Sequence, residues 1–309
     1  MSKKKPANSV YEHLASGGLS GFAAALALQP LDLLKTRVQQ ADGAANGSRR
    51  SATAITKQIY AQHGVLGLWR GTIPTLARNV PGVAIYFYTL QALRQRLTQV
   101  SAFGVVTIDK SSPSALPKLS PQGNLVSGVV ARLGVGLLLN PFSVMKARFE
   151  SDRYAYKSML EAFTSILRES GPRGLVQGFN ASALRDAPFA GLYVLFYEAI
   201  KDKTSLLLGP NAPITQAAIY TWSGATAGAM ATVATHPFDV MKTRMQVNSD
   251  IPQYRSLPRT VVAIFKQRGI MGFFDGASIR VSRKIFSSAI SWTVYETLLV
   301  FWRDRQKLV

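Results

Sequence analysis

The sequence predicts an all-α membrane protein built from three tandem repeats, each holding two membrane-length helices with one short helix between them. Three observations carry this. A string of the form Pro-x-(acid or Ser)-x-x-Lys-x-Arg occurs three times, as QPLDLLKTRVQ (29–39), NPFSVMKARFE (140–150) and HPFDVMKTRMQ (236–246). A glycine-flanked string follows each at a near-constant distance: HGVLGLWRG (63–71), SGPRGLVQG (170–178) and RGIMGFFDG (268–276). Seven residues after the last glycine of each stands an arginine, Arg78, Arg185 or Arg283, heading an apolar, aromatic stretch. Three matches in one register are the mark of a repeat architecture. The chain divides accordingly at 1–110, 111–208 and 209–309.

The elements follow in order. Segments long enough to span a bilayer are predicted at 11–39 and 73–98, at 121–149 and 179–203, and at 214–246 and 277–303. In the first, third and fifth, Pro30, Pro141 and Pro237 remove a helical hydrogen bond and bend the segment. Small residues four apart, Gly17/Gly21 and Gly224/Gly228, suit close helix packing. ADGAANGS (41–48) reads as a flexible loop and the Ser/Pro-rich 99–120 as a loose linker. Ser51, Ser158 and Ser256 are N-cap candidates for short helices that end before Gly64, Gly171 and Gly269. Pro81 and Pro188 follow their arginines by three and predict kinks in the second and fourth spans; the sixth has Phe286 there.

Composition narrows the function class. Among 309 residues, 36 Lys+Arg face 16 Asp+Glu, and the net charge of +20 calls for an anionic partner. The 47% apolar content excludes a basic disordered tail. A mean hydropathy of +0.10 is nevertheless low for helices bathed wholly in lipid. Helices with one lipid face and one watery face satisfy both. There is no cysteine, and the three histidines (13, 63, 236) lack metal-ligand spacing, so neither a disulfide framework nor a metal is expected. No nucleophile, base and orienter recur together, so neither an enzyme nor a cofactor is expected. A nucleic-acid binder would show an aromatic-interleaved basic surface without six apolar spans. The N-terminus, MSKKKPANSVYEHLASGG, lacks an h-region and is too short and Arg-poor for a transit peptide, which leaves targeting to the folded chain.

The triple string, with Trp69-Arg70-Gly71 after its first copy, resembles the mitochondrial carrier family over nearly the whole chain. The resemblance implies a monomeric six-helix bundle of the inner membrane with pseudo-threefold symmetry. Its central cavity opens alternately to the intermembrane space and the matrix. Both termini would face the intermembrane space and the three short helices the matrix. An acid and a lysine three residues apart share a helix face, so three such helices around an axis form a ring of alternating charge. The matrix gate is then Asp32 with Lys146 and Asp239 with Lys35. Ser143 stands where the third acid would, offering Lys242 at best a hydrogen bond. In the family, glutamines at the positions of Gln39 and Gln246 brace such pairs; Glu150 in the third copy either braces Lys146 or competes with Ser143. The family's aromatic-acid-x-x-base pattern on the even helices implies a cytoplasmic gate of Arg94 with Glu198 and Lys201 with Glu296, while Leu299 and Gln91 form no pair. Cardiolipin is expected at Trp69, Arg70, Gly71, Gly178 and Gly276, where backbone amides at helix starts suit phosphate. Val176-Gln177 and Phe274-Asp275 depart from the Trp-Arg pattern.

Between the gates lies the expected substrate site. Arg78, Arg185 and Arg283 precede the outer gate positions by thirteen residues, roughly 20 Å of helix. That is near the bilayer midplane, where ionisable side chains are costly and mark function. In the family these are substrate contact points. Arginine holds a carboxylate or phosphate, and Asp186 beside Arg185 can accept an ammonium group. The pair therefore suits a zwitterion, or else it neutralises itself as an internal ion pair. Arg132 stands nine before Pro141, where the other repeats have Gly21 and Gly228, and is expected on the cavity wall or against Asp186. Lys284 and Gly82 complete the predicted site. QPLDLLKTR, RNVPGVAIYF, RDAPFAGLYVLFY and SWTVYE resemble the family members that bring glycine into the matrix for haem synthesis. The alternatives are another small amino acid, or an isoprenoid diphosphate that would use the surplus of cations over Asp186.

Overall fold

The computed structural model describes residues 8–40, 51–98, 120–208 and 216–307. The first repeat contains α1 (Asn8–Gln39), α2 (Ala52–His63) and α3 (Thr72–Leu97). The second contains α4 (Pro121–Leu138), α5 (Asn140–Glu150), α6 (Met159–Leu175) and α7 (Phe179–Leu208). The third contains α8 (Gln216–Ala234), α9 (His236–Val247), α10 (Leu257–Arg268) and α11 (Ala277–Lys307). No strand occurs among the described residues. The loop 41–48 lies outside them, as does linker 99–120 save its last residue.

The three repeated prolines act differently. The first rod, α1, continues through Pro30. The other two break at Leu139 and Thr235, and Pro141 and Pro237 become the second residue of a new helix. There the missing N–H has no intrahelical partner to lose. The α4 and α5 segments meet at 61°. Pro81 and Pro188 lie inside helices that continue through them.

The long rods pack in a closed ring. α1 lies against α3 and α11, α3 against α4 and α5, α4 against α7, α7 against α8 and α9, and α8 against α11. Gly224 and Gly228 face Tyr193 of α7, and a Cβ on Gly224 would sit 3.4 Å from its hydroxyl. A Cβ on Gly21 would meet nothing, so the first pair does not tighten a helix contact there. The side-chain surroundings of Gly17 lie outside the described residues.

Apolar side chains such as Phe22, Phe87, Leu137, Leu195 and Trp222 point outward and are exposed, while the charges turn inward. A large outward apolar surface of this kind marks a membrane interface. No single described helix is long and apolar enough to cross a membrane by mean hydropathy; the bent pair 123–138 with 140–150 is. The described helices are as long as the six predicted spans require. The lengths fit, but each rod gives one face to charges, among them Arg78 in α3 and Arg185 in α7, and these lower its mean.

Three small cores close one end of the ring. Leu33 and Val38 of α1 pack with Ile55 and Ile59 of α2. Val144, Met145 and Phe149 of α5 pack with Ala162 and Ile166 of α6. Val240, Met241 and Met245 of α9 pack with Ile264 of α10 and Ala181 of α7. Each short helix starts at its predicted serine: Ser158 Oγ accepts from the Glu161 N–H at 3.2 Å, while Ser51 and Ser256 hold the cap position without that bond.

Candidate functional site

At the closed end the odd-helix strings converge. Lys146 Nζ donates to Asp32 Oδ2 at 2.7 Å, and Lys35 Nζ lies 2.5 Å from Asp239 Oδ2. Gln39 bridges the second pair to α9, donating to Asp239 at 3.3 Å and accepting from Thr243 Oγ1 at 2.7 Å. Glu150 accepts from Thr36 Oγ1 at 2.6 Å and from Gln29 Nε2 at 3.0 Å, and stands 3.5 Å from Lys146 Nζ. It therefore braces Lys146 and leaves Ser143 alone. The expected bond between Ser143 and Lys242 is not formed. Gln246, one turn beyond Lys242 on α9, donates to the Ser143 hydroxyl at 3.4 Å instead. Lys242 has no ion pair or hydrogen bond among the described residues, and it lines the cavity.

Two further rings were missed by the sequence reading. The last arginine of each string ties its repeat to the next. Arg37 Nε donates to the Glu150 carbonyl at 3.1 Å, Arg148 Nη2 to Ser249 Oγ at 2.6 Å, and Arg244 Nε to the Gln39 carbonyl at 3.2 Å. The residue before each proline ties the odd helix to the start of the following rod. Gln29 bonds the Arg70 carbonyl (3.1 Å), Asn140 the Gln177 carbonyl (3.2 Å) and His236 the Asp275 carbonyl (2.9 Å). The repeated string carried both signals, in its final arginine and in the polar residue ahead of its proline. On the loop after α5, Tyr154 donates to the Val247 carbonyl at 3.0 Å; burial pushes its hydroxyl up to about 12, which keeps it a neutral donor.

Above the gate the rods enclose a cavity of about 480 Å³, lined by nine Lys and Arg side chains and four carboxylates. Arg185 is its hub. Its Nε donates to Asp186 Oδ1 at 2.8 Å and its Nη1 to gate residue Asp239 at 2.8 Å. Arg132 Nε reaches to 3.6 Å from Asp186 Oδ2 and also lines the cavity, so both of its expected placements hold at once. Arg283 Nη2 donates to Asp32 at 3.0 Å. Lys284 Nζ lies 3.7 Å from the centre of the Phe189 ring, a cation–π contact. Arg78 lines the cavity without an ion pair or hydrogen bond among the described residues. Arg280, absent from the predicted set, donates to the Thr232 carbonyl at 3.2 Å and stands 3.8 Å from Asp239. Its repeat counterparts are Thr75 and Ser182, so the triple pattern could not reveal it. Gly82 does not line the cavity. A Cβ there would come within 2.9 Å of Leu139 Cδ1, so the glycine lets α3 approach the α4–α5 break.

The opposite end is unjoined. Among the described residues neither Arg94 with Glu198 nor Lys201 with Glu296 forms an ion pair; Lys201 turns to Glu198, three residues earlier on its own helix. The side chain of Leu299 lies outside those described, and Gln91 is exposed. Lys201 finds its nearest acid one turn away on its own helix.

The family described as mitochondrial carrier protein matches residues 6–101, 117–206 and 215–306. The chain belongs to the mitochondrial carrier family. It is 50% identical over 307 residues to the mitochondrial glycine transporter of Laccaria bicolor, covering 96% of this chain and 99% of the relative. It is 41% identical to the mitochondrial glycine transporter of Aspergillus fumigatus, covering 96% of each, and 42% identical to that of Aspergillus niger, covering 93% and 89%. In this carrier the three glycines expected to meet cardiolipin are buried. A Cβ on Gly71 would lie 2.9 Å from Glu150 Cγ, and one on Gly178 2.9 Å from Gln246 Cγ. These glycines admit the gate braces. Trp69 Nε1 donates to the Leu26 carbonyl at 2.9 Å, and Arg70 bonds the Tyr154 carbonyl.

Proposed function

We propose that this carrier imports glycine across the mitochondrial inner membrane into the matrix by alternating access, supplying haem synthesis. The observation that carries the reading is the Arg185–Asp186 pair on the wall of a cation-rich cavity. A zwitterion can enter such a pair by exchange: its carboxylate takes an arginine and its ammonium takes the aspartate. The exchange leaves no charge unpaired, which a buried site requires. Arg185 also holds Asp239, so an ammonium that draws Asp186 from Arg185 acts on a residue bonded to the ring of ion pairs. A ligand shifts a conformational equilibrium only by such differential contacts. The names of the glycine-transporting relatives support the same substrate.

In this reading the joined end faces the matrix, the unjoined end faces the intermembrane space, and both termini lie on that outer side. The carrier works as a monomer of three units, 1–110, 111–208 and 209–309. Arg94–Glu198 and Lys201–Glu296 pair when the cavity turns to the matrix. Cardiolipin phosphate binds at the backbone amides that open α3, α7 and α11.

Nine cations against four carboxylates favour one second reading, an isoprenoid diphosphate as cargo. Uptake into proteoliposomes decides between them. Labelled glycine should accumulate well above protein-free vesicles and labelled isopentenyl diphosphate should not; the reverse result would replace the glycine reading with the diphosphate one.

A further inference from the structure

We infer that Lys242 reads the carboxylate of the cargo, which takes the place of the acid that repeat two lacks. The inference rests on the glycine reading and deepens it. Three lysines converge at the gate, and two of them have a carboxylate: Lys35 has Asp239 and Lys146 has Asp32. Lys242 is the third, and its neighbouring helix presents Ser143. That hydroxyl is taken by Gln246 at 3.4 Å, so Lys242 keeps no hydrogen-bond or ion-pair partner among the described residues.

Its surroundings sharpen the point. Arg185, Arg78, Asp239 and Asp186 line the same cavity as Lys242. Arg185 is already committed to Asp186 and Asp239. Arg78 and Lys242 are therefore two cations that share the cavity wall with neither one paired among the described residues. Two like charges facing one cavity repel, and an anion placed between them relieves both. A carboxylate fits, with one oxygen on the arginine fork and one on the ammonium. Asp186 lines the same cavity, so an amine one carbon away from that carboxylate can turn to it. Longer amino acids meet the same charges, so this site reads the carboxylate and not the side chain. It also makes the gate conditional on cargo. The third ion pair of the ring exists only while the substrate supplies it.

Three variants and one analogue test this. Ser143→Asp supplies the acid within the protein. Its detergent-solubilised form should melt ~2–4 °C higher, and its KM for glycine should rise at least tenfold, because the substrate must displace the new acid. Unlabelled glycine and glycinamide are then compared as inhibitors of labelled glycine uptake. Wild type should prefer glycine at least tenfold; Lys242→Gln should bring the ratio towards one, and Lys242→Arg should restore it. A melting temperature that does not rise in Ser143→Asp, or an unchanged glycine-to-glycinamide ratio in Lys242→Gln, overturns the inference. Wild-type protein that moves no glycine would instead sink the glycine reading. In that case a raised melting temperature in Ser143→Asp, with weakened isopentenyl diphosphate uptake, keeps Lys242 as the anion reader for the other cargo.

Discussion

Arg185 carries two contacts that belong to different tasks. Its bond to Asp186 lies on the cavity wall, where the proposed cargo would bind, and its bond to Asp239 reaches the ring of ion pairs. Replacing either member of the first pair removes one half of the cation–anion pair that the glycine reading needs, while Arg185 keeps Asp239 and Asp186 keeps Arg132. Arg185→Ala and Asp186→Ala are each expected to lower glycine uptake at least tenfold, with helical content by circular dichroism unchanged; normal uptake by either variant would return the pair to a structural role. Glu150 is a different kind of residue. Its two oxygens satisfy Thr36 and Gln29 and lie beside Lys146. Glu150→Ala orphans buried donors at about 1–3 kcal/mol each, and a melting scan should register a loss of several degrees even where uptake persists.

At the scale of the element, the short loop between each short helix and the following rod decides how closely the repeats approach. Gly178 has φ of 73°, and a Cβ there would lie 2.9 Å from Gln246 Cγ and 3.2 Å from the Lys242 carbonyl. Both the backbone angle and the space demand glycine. Gly178→Ala should therefore cost about 1–3 kcal/mol through strain and displacement of α9. Gly191, inside α7 with open space around it, provides the comparison. Gly191→Ala should be neutral or stabilising by about 0.5–1 kcal/mol, because alanine is the better helix former. Equal losses in the two variants, read by denaturation in detergent, would show that the loss has nothing to do with the turn.

Across the whole molecule, ion pairs join the rods at one end, and at the other the predicted Arg94–Glu198 and Lys201–Glu296 pairs are not formed among the described residues; under the proposed orientation the cavity is reached from the second side. The chain has no cysteine, so a single introduced thiol reports access without a background. Ser287 lines the cavity. Ser287→Cys in intact mitoplasts should react with a membrane-impermeant maleimide added outside, and excess glycine should slow the reaction. Labelling only from the matrix side of inverted vesicles would reverse the assigned orientation. Among the described residues Lys201 pairs with Glu198 of its own helix; in the proposed cycle Arg94 and Lys201 meet Glu198 and Glu296 only after the other ring opens.

The linear sequence determined the parts that repeat. Three copies of one string place Asp32, Lys146, Asp239 and Lys35 on facing helices, because a spacing of three puts an acid and a base on one face and three similar units close around an axis. Capping serines and the glycines that end the short helices were legible for the same reason: each is a local backbone demand met by few residue types. Departures from the repeat were settled only by tertiary packing. Whether Glu150 braces Lys146 or competes for Ser143, whether Gln246 or Lys242 takes the Ser143 hydroxyl, and whether Arg185 serves Asp186, Asp239 or both are contests between partners on different helices. Sequence spacing fixes where a side chain starts along its rod. Which of several acceptors it reaches depends on how closely and at what angle the rods converge, and the breaks at Leu139 and Thr235 and the tight turn at Gly178 set that geometry.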